Sequence, residues 1–377
     1  MRRGFVGTAA IAAVVAANMA HAADTVKIGL IQPLTGSVAY NGIADVNGAK
    51  LAVAQRNAKG GVLGKHVELI VEDGQCQPAK SVNAAEKLIQ KDQVPVISGA
   101  FCSSATIAVM SVAEKYKIPL LSGVSSKTDL TERGNTWFFR TAETDALMAH
   151  AFAEILVKNL KLKTIAYIGV NDDWGRGGVD EFSRQIESMG GKTVLKEYFD
   201  HGTTDFYTLL TRVRAARPDG IFVAAETQDG SIVVKQMKEL GLTSKVFGVG
   251  SWATADFVKL TGDAAEGIHA AVPYAATLDT PANKAFVKDY KAAYKEAPGK
   301  YSAAGYNALN IIMDGIQRAG AADPAKIREA LEKTDYTGPN GQFRFDAKHQ
   351  AYGFDAVLVQ LKNGTPEIVS QTRVEAP

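Results

Sequence analysis

Cysteine is scarce in this sequence, with two residues in 377. Histidine is sparse too: there are six, scattered, and no H-E-x-x-H helix. These shortages argue against a disulfide-dense scaffold and against a histidine metal centre. Long apolar runs are missing outside the N-terminus, where Phe5 to Ala17 is too short to span a bilayer. No sign of charge dominates, with 42 Lys and Arg against 40 Asp and Glu. Arg2 and Arg3 precede the apolar stretch, and 42 less those two leaves the remaining chain formally neutral. Neutrality argues against nucleic acid or an anionic membrane surface as the main partner.

Arg2, Arg3, the alanine-rich stretch and Ala20-His21-Ala22 form a secretory leader with an A-x-A cleavage pattern, so residues 1–22 are expected to be removed. In an oxidising compartment Cys76 and Cys102 read most simply as one disulfide. The alternative is a nucleophilic or metal-binding thiol, for which no surrounding His or Asp constellation is evident.

Catalytic patterns are also missing. The sequence has no G-x-S-x-G elbow and no S-x-x-K. Gly60–Lys65 has the wrong spacing for a P-loop. Gly248-Val-Gly-Ser-Trp-Ala253 spells a dinucleotide-type glycine pattern, but lies too late in the chain for a first βαβ unit. No enzyme activity and no cofactor are expected.

Strand-like and helix-like segments alternate. Val26–Leu34, Val67–Val71, Val94–Ala100 and Pro119–Val124 read as strands, with helices at Ile43–Asn57, Ser81–Ile89 and Ala105–Lys117. The rhythm restarts after Arg140. Helices at Ala285–Lys295, Ala303–Ala319 and Pro324–Leu331 are too many for the second lobe and can cross back onto the first. A hairpin closes the chain around Asn363-Gly364. The expected class is α/β, with two doubly wound parallel-sheet lobes whose strand ends face each other across a cleft.

Val94 to Thr106 is the most informative stretch. An apolar run ends in a small-residue turn, and Cys102, Ser103 and Ser104 stand where a helix begins. Backbone N–H groups, hydroxyls and the positive helix end there suit an anion, although serine capping alone is the plainer reading. Ser122 to Lys127 is a second small-polar turn after the next strand. Ser126 can add a hydroxyl there, and Val124 a carbonyl.

The chain resembles the periplasmic branched-chain amino acid (leucine/isoleucine/valine) binding protein family of ABC importers. The resemblance rests on Gly29–Gly36, Glu72-Asp73, Cys76, Gly99–Ser104, Thr131–Gly134, Phe139–Thr141, Asp173–Gly175 and Gly262–Gly267. It implies a type I periplasmic binding fold with three interlobe crossings and a Cys76–Cys102 bridge. The expected lobes are 24–143 plus 275–352 and 144–274 plus 353–377. It further implies a monomer in the periplasm that passes a small amino acid or carboxylate to an ABC permease. Ser103 would hold the ligand carboxylate, Val124 the ammonium, and Ser126 both. Trp174 would face them from the second lobe, Tyr301 would form a late aromatic wall, and Phe101 and Tyr40 would line the pocket.

One position departs from the family. An acid is expected just after the strand ending at Val249, but Gly250, Ser251 and Trp252 stand there. Glu226, at the end of the preceding strand, is the expected substitute partner for the ammonium; a solvated loop acid is the plainer alternative. Without an ammonium the ligand would be a simple carboxylate, aromatic and stacked on Trp174 or Trp252. A ligand-sensing receptor module is the remaining alternative.

Overall fold

A computed structural model describes residues 25–375. The expected leader lies outside the described residues. Among them, no helix is long and apolar enough to cross a membrane.

The first sheet is parallel, in the order β2 (Val67–Asp73), β1 (Val26–Gln32), β3 (Ile97–Ser98), β4 (Leu120–Ser122) and β5 (Phe138–Arg140). Helices α1 (Ala39–Ala58), α2 (Pro78–Gln90) and α3 (Ser103–Tyr116) connect its strands. Ile28, Leu30, Ile97, Leu120 and Leu121 are fully buried, as expected for a parallel sheet covered on both faces. The order reverses between β1 and β3, which opens a crevice at their carboxyl ends. The three-residue β5 was not expected from the sequence. It is too short to show a periodicity, and it forms because it lies on β4, with Phe139 against Leu121.

The chain leaves this sheet at 141–144. It continues through α4 (Asp145–Ala153), β6 (Thr164–Val170), α5 (Asp173–Ser188), β7 (Lys192–Phe199), α6 (Tyr207–Ala216), β8 (Gly220–Ala224), α7 (Thr227–Glu239), β9 (Lys245–Gly248), α8 (Ala255–Thr261) and β10 (His269–Val272). Strands β7, β6, β8, β9 and β10 pair in that order, all parallel.

Helices α9 (Pro281–Tyr294), α10 (Lys300–Ala319) and α11 (Pro324–Leu331) follow. Helix α10 lies against α1, on the first lobe, as its surplus in the sequence suggested. The contact is nearly backbone to backbone. A Cβ at Gly48 would meet Ser302 O at 1.9 Å, and one at Gly305 would meet Asp45 O at 2.1 Å. This close approach carries the start of α10, Lys300 and Tyr301, into the cleft.

Strands β11 (Tyr336–Gly338), β12 (Gly341–Phe345), β13 (Ala351–Lys362) and β14 (Thr365–Arg373) end the fold. The long β13 pairs with β12 at one end and, antiparallel, with β10 at the other. It returns the chain to the second sheet and pairs with β14 through the expected Asn363-Gly364 turn.

Candidate functional site

The two serine turns meet at the carboxyl ends of β3 and β4. Cys102 precedes α3 and is bonded to Cys76, with their Cα atoms 5.4 Å apart, a separation normal for a disulfide. The bond fixes the turn that carries Ser103. Ser125, which the sequence reading passed over, stitches the turns together. Its hydroxyl donates to Phe101 O at 2.7 Å and pairs with Thr106 Oγ1 at 2.7 Å. Lys127 N donates to Ser103 Oγ at 3.4 Å.

Arg140 supports this loop from below. The side chain is fully buried, and Nη1 donates to Lys127 O at 2.5 Å. Nη2 reaches Thr128 O and Thr131 Oγ1, at 3.2 and 3.0 Å. Burial lowers its pKa to about 10, partly offset by Asp145 and Glu143, so the guanidinium stays charged at neutral pH. These carbonyl contacts satisfy a buried cation without using up a carboxylate in the cleft.

A cavity opens between the sheets, with about 620 Å³ of atom-free space including its solvent-open part. Phe101, Ser103, Val124 and Ser126 line it from the first lobe, and Trp174 and Glu226 from the second. Tyr301 joins them from α10, its ring tilted 40° to Phe101 at 4.9 Å.

Three expected residues lie elsewhere. Ser104, the next residue of α3, is half-buried outside the cavity wall. Tyr40 is 41 % exposed and lines a neighbouring cavity that shares only Tyr301 with this one. Trp252 is buried completely in the second lobe. Glycines 230 and 248 leave the room its indole fills, since a Cβ at either would lie within 2.5 Å of it. Its Nε1 donates to Ala225 O at 2.7 Å and its ring stacks on Phe257. It is therefore a core wedge, with no face open to a ligand.

Glu226 is buried but already engaged. Asn41 Nδ2 and Tyr301 Oη donate to its Oε2 at 2.7 and 2.5 Å. Burial raises its pKa, and Lys300, Tyr301 and Ser251 oppose the rise. Asn41 comes from α1, so this carboxylate joins both lobes.

The cavity also holds charges that sequence reasoning missed. Asp145, the first residue of α4, donates its N–H to Ser126 O at 2.8 Å. Its Oδ2 is buried without a hydrogen-bond partner. Burial raises its pKa to about 7; Ser126, Arg140 and Lys300 pull it down and Glu143 pushes it up. Lys300 Nζ lies 3.4 Å from Glu143 Oε1.

His201 stands between Asp172 and Asp229, at 3.1 and 3.5 Å. Burial opposes its charge, but the two carboxylates outweigh it and raise the pKa to about 10. The imidazolium thus ties the start of α5, which carries Trp174, to α7. None of these residues forms a motif in the sequence. They are brought together by the 141–144 segment, the starts of α4 and α10 and the turn after β7, and only the isolated R-T-A-E-T-D run at 140–145 placed two of them near a strand end.

The profile of the family described as "Periplasmic binding protein" matches residues 25–366. A Pseudomonas aeruginosa protein named for binding leucine, isoleucine, valine, threonine and alanine is 31% identical over 344 residues, 91% of this chain and 92% of that one. A leucine-binding protein structure from Thermotoga maritima superposes with a TM-score of 0.86 at 27% identity, covering 92% of this chain and 99% of that one. A solute-binding protein of an ABC transporter from Rhodopseudomonas palustris, solved with 3,4-dihydroxybenzoic acid, gives 0.86 at 27% identity, over 94% and 99%.

Proposed function

The chain belongs to the periplasmic binding protein family, and on that premise we propose that it is the solute-binding protein of an ABC importer, acting in the periplasm without making or breaking a bond. It captures a small amino acid, of the branched-chain group for which its relatives are named, and presents it to a permease. The lobes are 24–143 plus 275–352 and 144–274 plus 353–377, and the crossings between them form the hinge. Closure on the ligand shifts the equilibrium toward the closed state by the ligand's extra contacts there.

One observation supports this reading above the others. The hydroxyl residues Ser103 and Ser126 line the cavity, and beside Ser126 lies the buried carboxyl of Asp145, whose Oδ2 has no hydrogen-bond partner. In this proposal the ligand carboxylate takes the serines and the N–H groups at the start of α3. Its ammonium takes Val124 O and Asp145. This moves the ammonium away from Glu226, because Glu226 already has two donors and Lys300 near it. An ammonium at Asp145 supplies the partner that Oδ2 lacks.

A simple aromatic carboxylate is the second reading, favoured by the position of Lys300 at Gly250. Calorimetry on ligand-stripped protein separates the two. Asp145→Asn should weaken amino acids at least tenfold and leave deaminated analogues within about twofold, given the worth of a hydrogen bond to a charged group. Equal losses in both classes would remove the ammonium from Asp145.

A further inference from the structure

Lys300 begins α10, and its side chain lies over Gly250 in the turn after β9. A Cβ at position 250 would sit 2.8 Å from Lys300 Cδ and 3.2 Å from its Nζ. The lysine therefore fills the room that any side chain at 250 would need.

The lysine side chain is 11% exposed and that of its partner Glu143 is 8%. Its Nζ also lies 4.8 Å from the centre of the Tyr301 ring. An ammonium has three N–H donors, and the 3.4 Å contact to Glu143 engages one of them. Glu226 supplies the complementary group. Asn41 and Tyr301 both donate to its Oε2, so neither uses Oε1. A donor and an acceptor thus line the same cavity. A hydrocarbon pressed against them would strip their water and return no hydrogen bond, which is costly for buried polar groups.

We propose that Lys300 and Glu226 form the specificity end of this pocket, a donor–acceptor pair for a ligand whose far end carries a hydroxyl or a carboxamide. Such a group accepts from Lys300 Nζ and donates to Glu226. A site built around hydrogen bonds to the ligand discriminates strongly against the analogue that lacks them. The inference rests on the solute-binding reading, with the ligand carboxylate at Ser103 and Ser126. It departs from the branched-chain reading in the side chain alone, replacing hydrocarbon ends by polar ones of the same shape.

The test uses the full secreted protein, stripped of ligand and refolded, and three near-isosteric pairs in calorimetry: threonine and valine, asparagine and leucine, 4-hydroxybenzoate and 4-methylbenzoate. In at least one pair the polar member should bind ten times or more tighter than its apolar counterpart. Lys300→Met and, separately, Glu226→Gln should reduce that ratio to about threefold or less, with melting curves reporting whether each variant folds. Apolar members binding as tightly as polar ones would overturn the proposal. So would a ratio unchanged in a folded Lys300→Met, or no binding by any of the six. Ser103→Ala with Ser126→Ala serves as the control, because it should weaken both members of a pair alike. If that control binds normally while the ratio still depends on Lys300, the carboxylate grip fails and the specificity end stands.

Discussion

In the proposed site few residues hold the ligand, and each acts through its neighbours. The place of Ser103 and Ser126 in the cleft was readable because small hydroxyl residues after apolar strands are a local pattern. Asp145, Glu143 and Lys300 were not, because what makes them matter is burial in a common cleft by separate elements. Ser103→Ala with Ser126→Ala should lower ligand affinity at least a hundredfold, since hydrogen bonds to a charged group are worth about 1.5–3 kcal/mol each. Unchanged calorimetric binding would remove both serines from the site.

Asp145 gives a second test at this scale. Its pKa stands at about 7 in the ligand-free protein, raised mainly by burial, with Ser126, Glu143, Arg140 and Lys300 around it. Near pH 6 the carboxyl is therefore largely protonated. A ligand ammonium favours the charged form, so binding should release a proton there, and affinity should rise as pH goes from 5.5 to 8. The same raised pKa means that Asp145 favours the empty fold at low pH. That contribution is lost as pH rises through about 7. Calorimetry at pH 6 in two buffers of different ionisation enthalpy measures the proton, and its release should vanish in Asp145→Asn. A binding enthalpy independent of buffer would contradict this role.

At the scale of elements, periodicity and turn chemistry placed most of the α/β segments, and Pro324–Leu331 falls on the expected boundaries. The misses are short strands such as β5 and β10, whose three or four residues are set by sheet neighbours rather than by local pattern. Trp252 was misread for a related reason. Its aromatic ring suggested stacking on a ligand, but the two glycines that receive it belong to α7 and β9 and give no signal in the sequence around it.

Replacing both Cys76 and Cys102 by serine should cost about 3–4 kcal/mol by the loop-entropy argument, seen as a lower urea midpoint, and intact oxidised protein should show no free thiol after denaturation. An unchanged midpoint would deny the bond a stabilising role. Gly305→Ala should destabilise by about 1–3 kcal/mol through overpacking, because its Cβ would sit 2.1 Å from Asp45 O. It should also weaken ligand binding, since α10 positions Lys300 and Tyr301. Wild-type stability and affinity in this variant would show that the α1–α10 contact can adjust without moving the site.

For the whole molecule, the sequence supported two sheets built on parallel strands and the return of a late helix, α10, to α1 of the first lobe. It did not reveal how the return is secured. Arg140 Nε donates to Gln350 Oε1 at 2.5 Å and Gln350 Nε2 to Ala142 O at 2.9 Å, so the end of β5 and the start of β13 are pinned side by side. Glu226, held by Asn41 across the cleft, adds a link between the lobes in the cavity wall. The ligand-binding reading treats these as parts of one hinge-and-cleft device.

Native mass spectrometry of the protein purified under mild conditions, followed by identification of any released small molecule, tests that reading most directly. The predicted result is a chemically unaltered amino acid or related small carboxylate, bound one per chain and lost from the Ser103→Ala, Ser126→Ala variant. Release of a molecule without a carboxylate, or retention of the same molecule by the double variant, would contradict it.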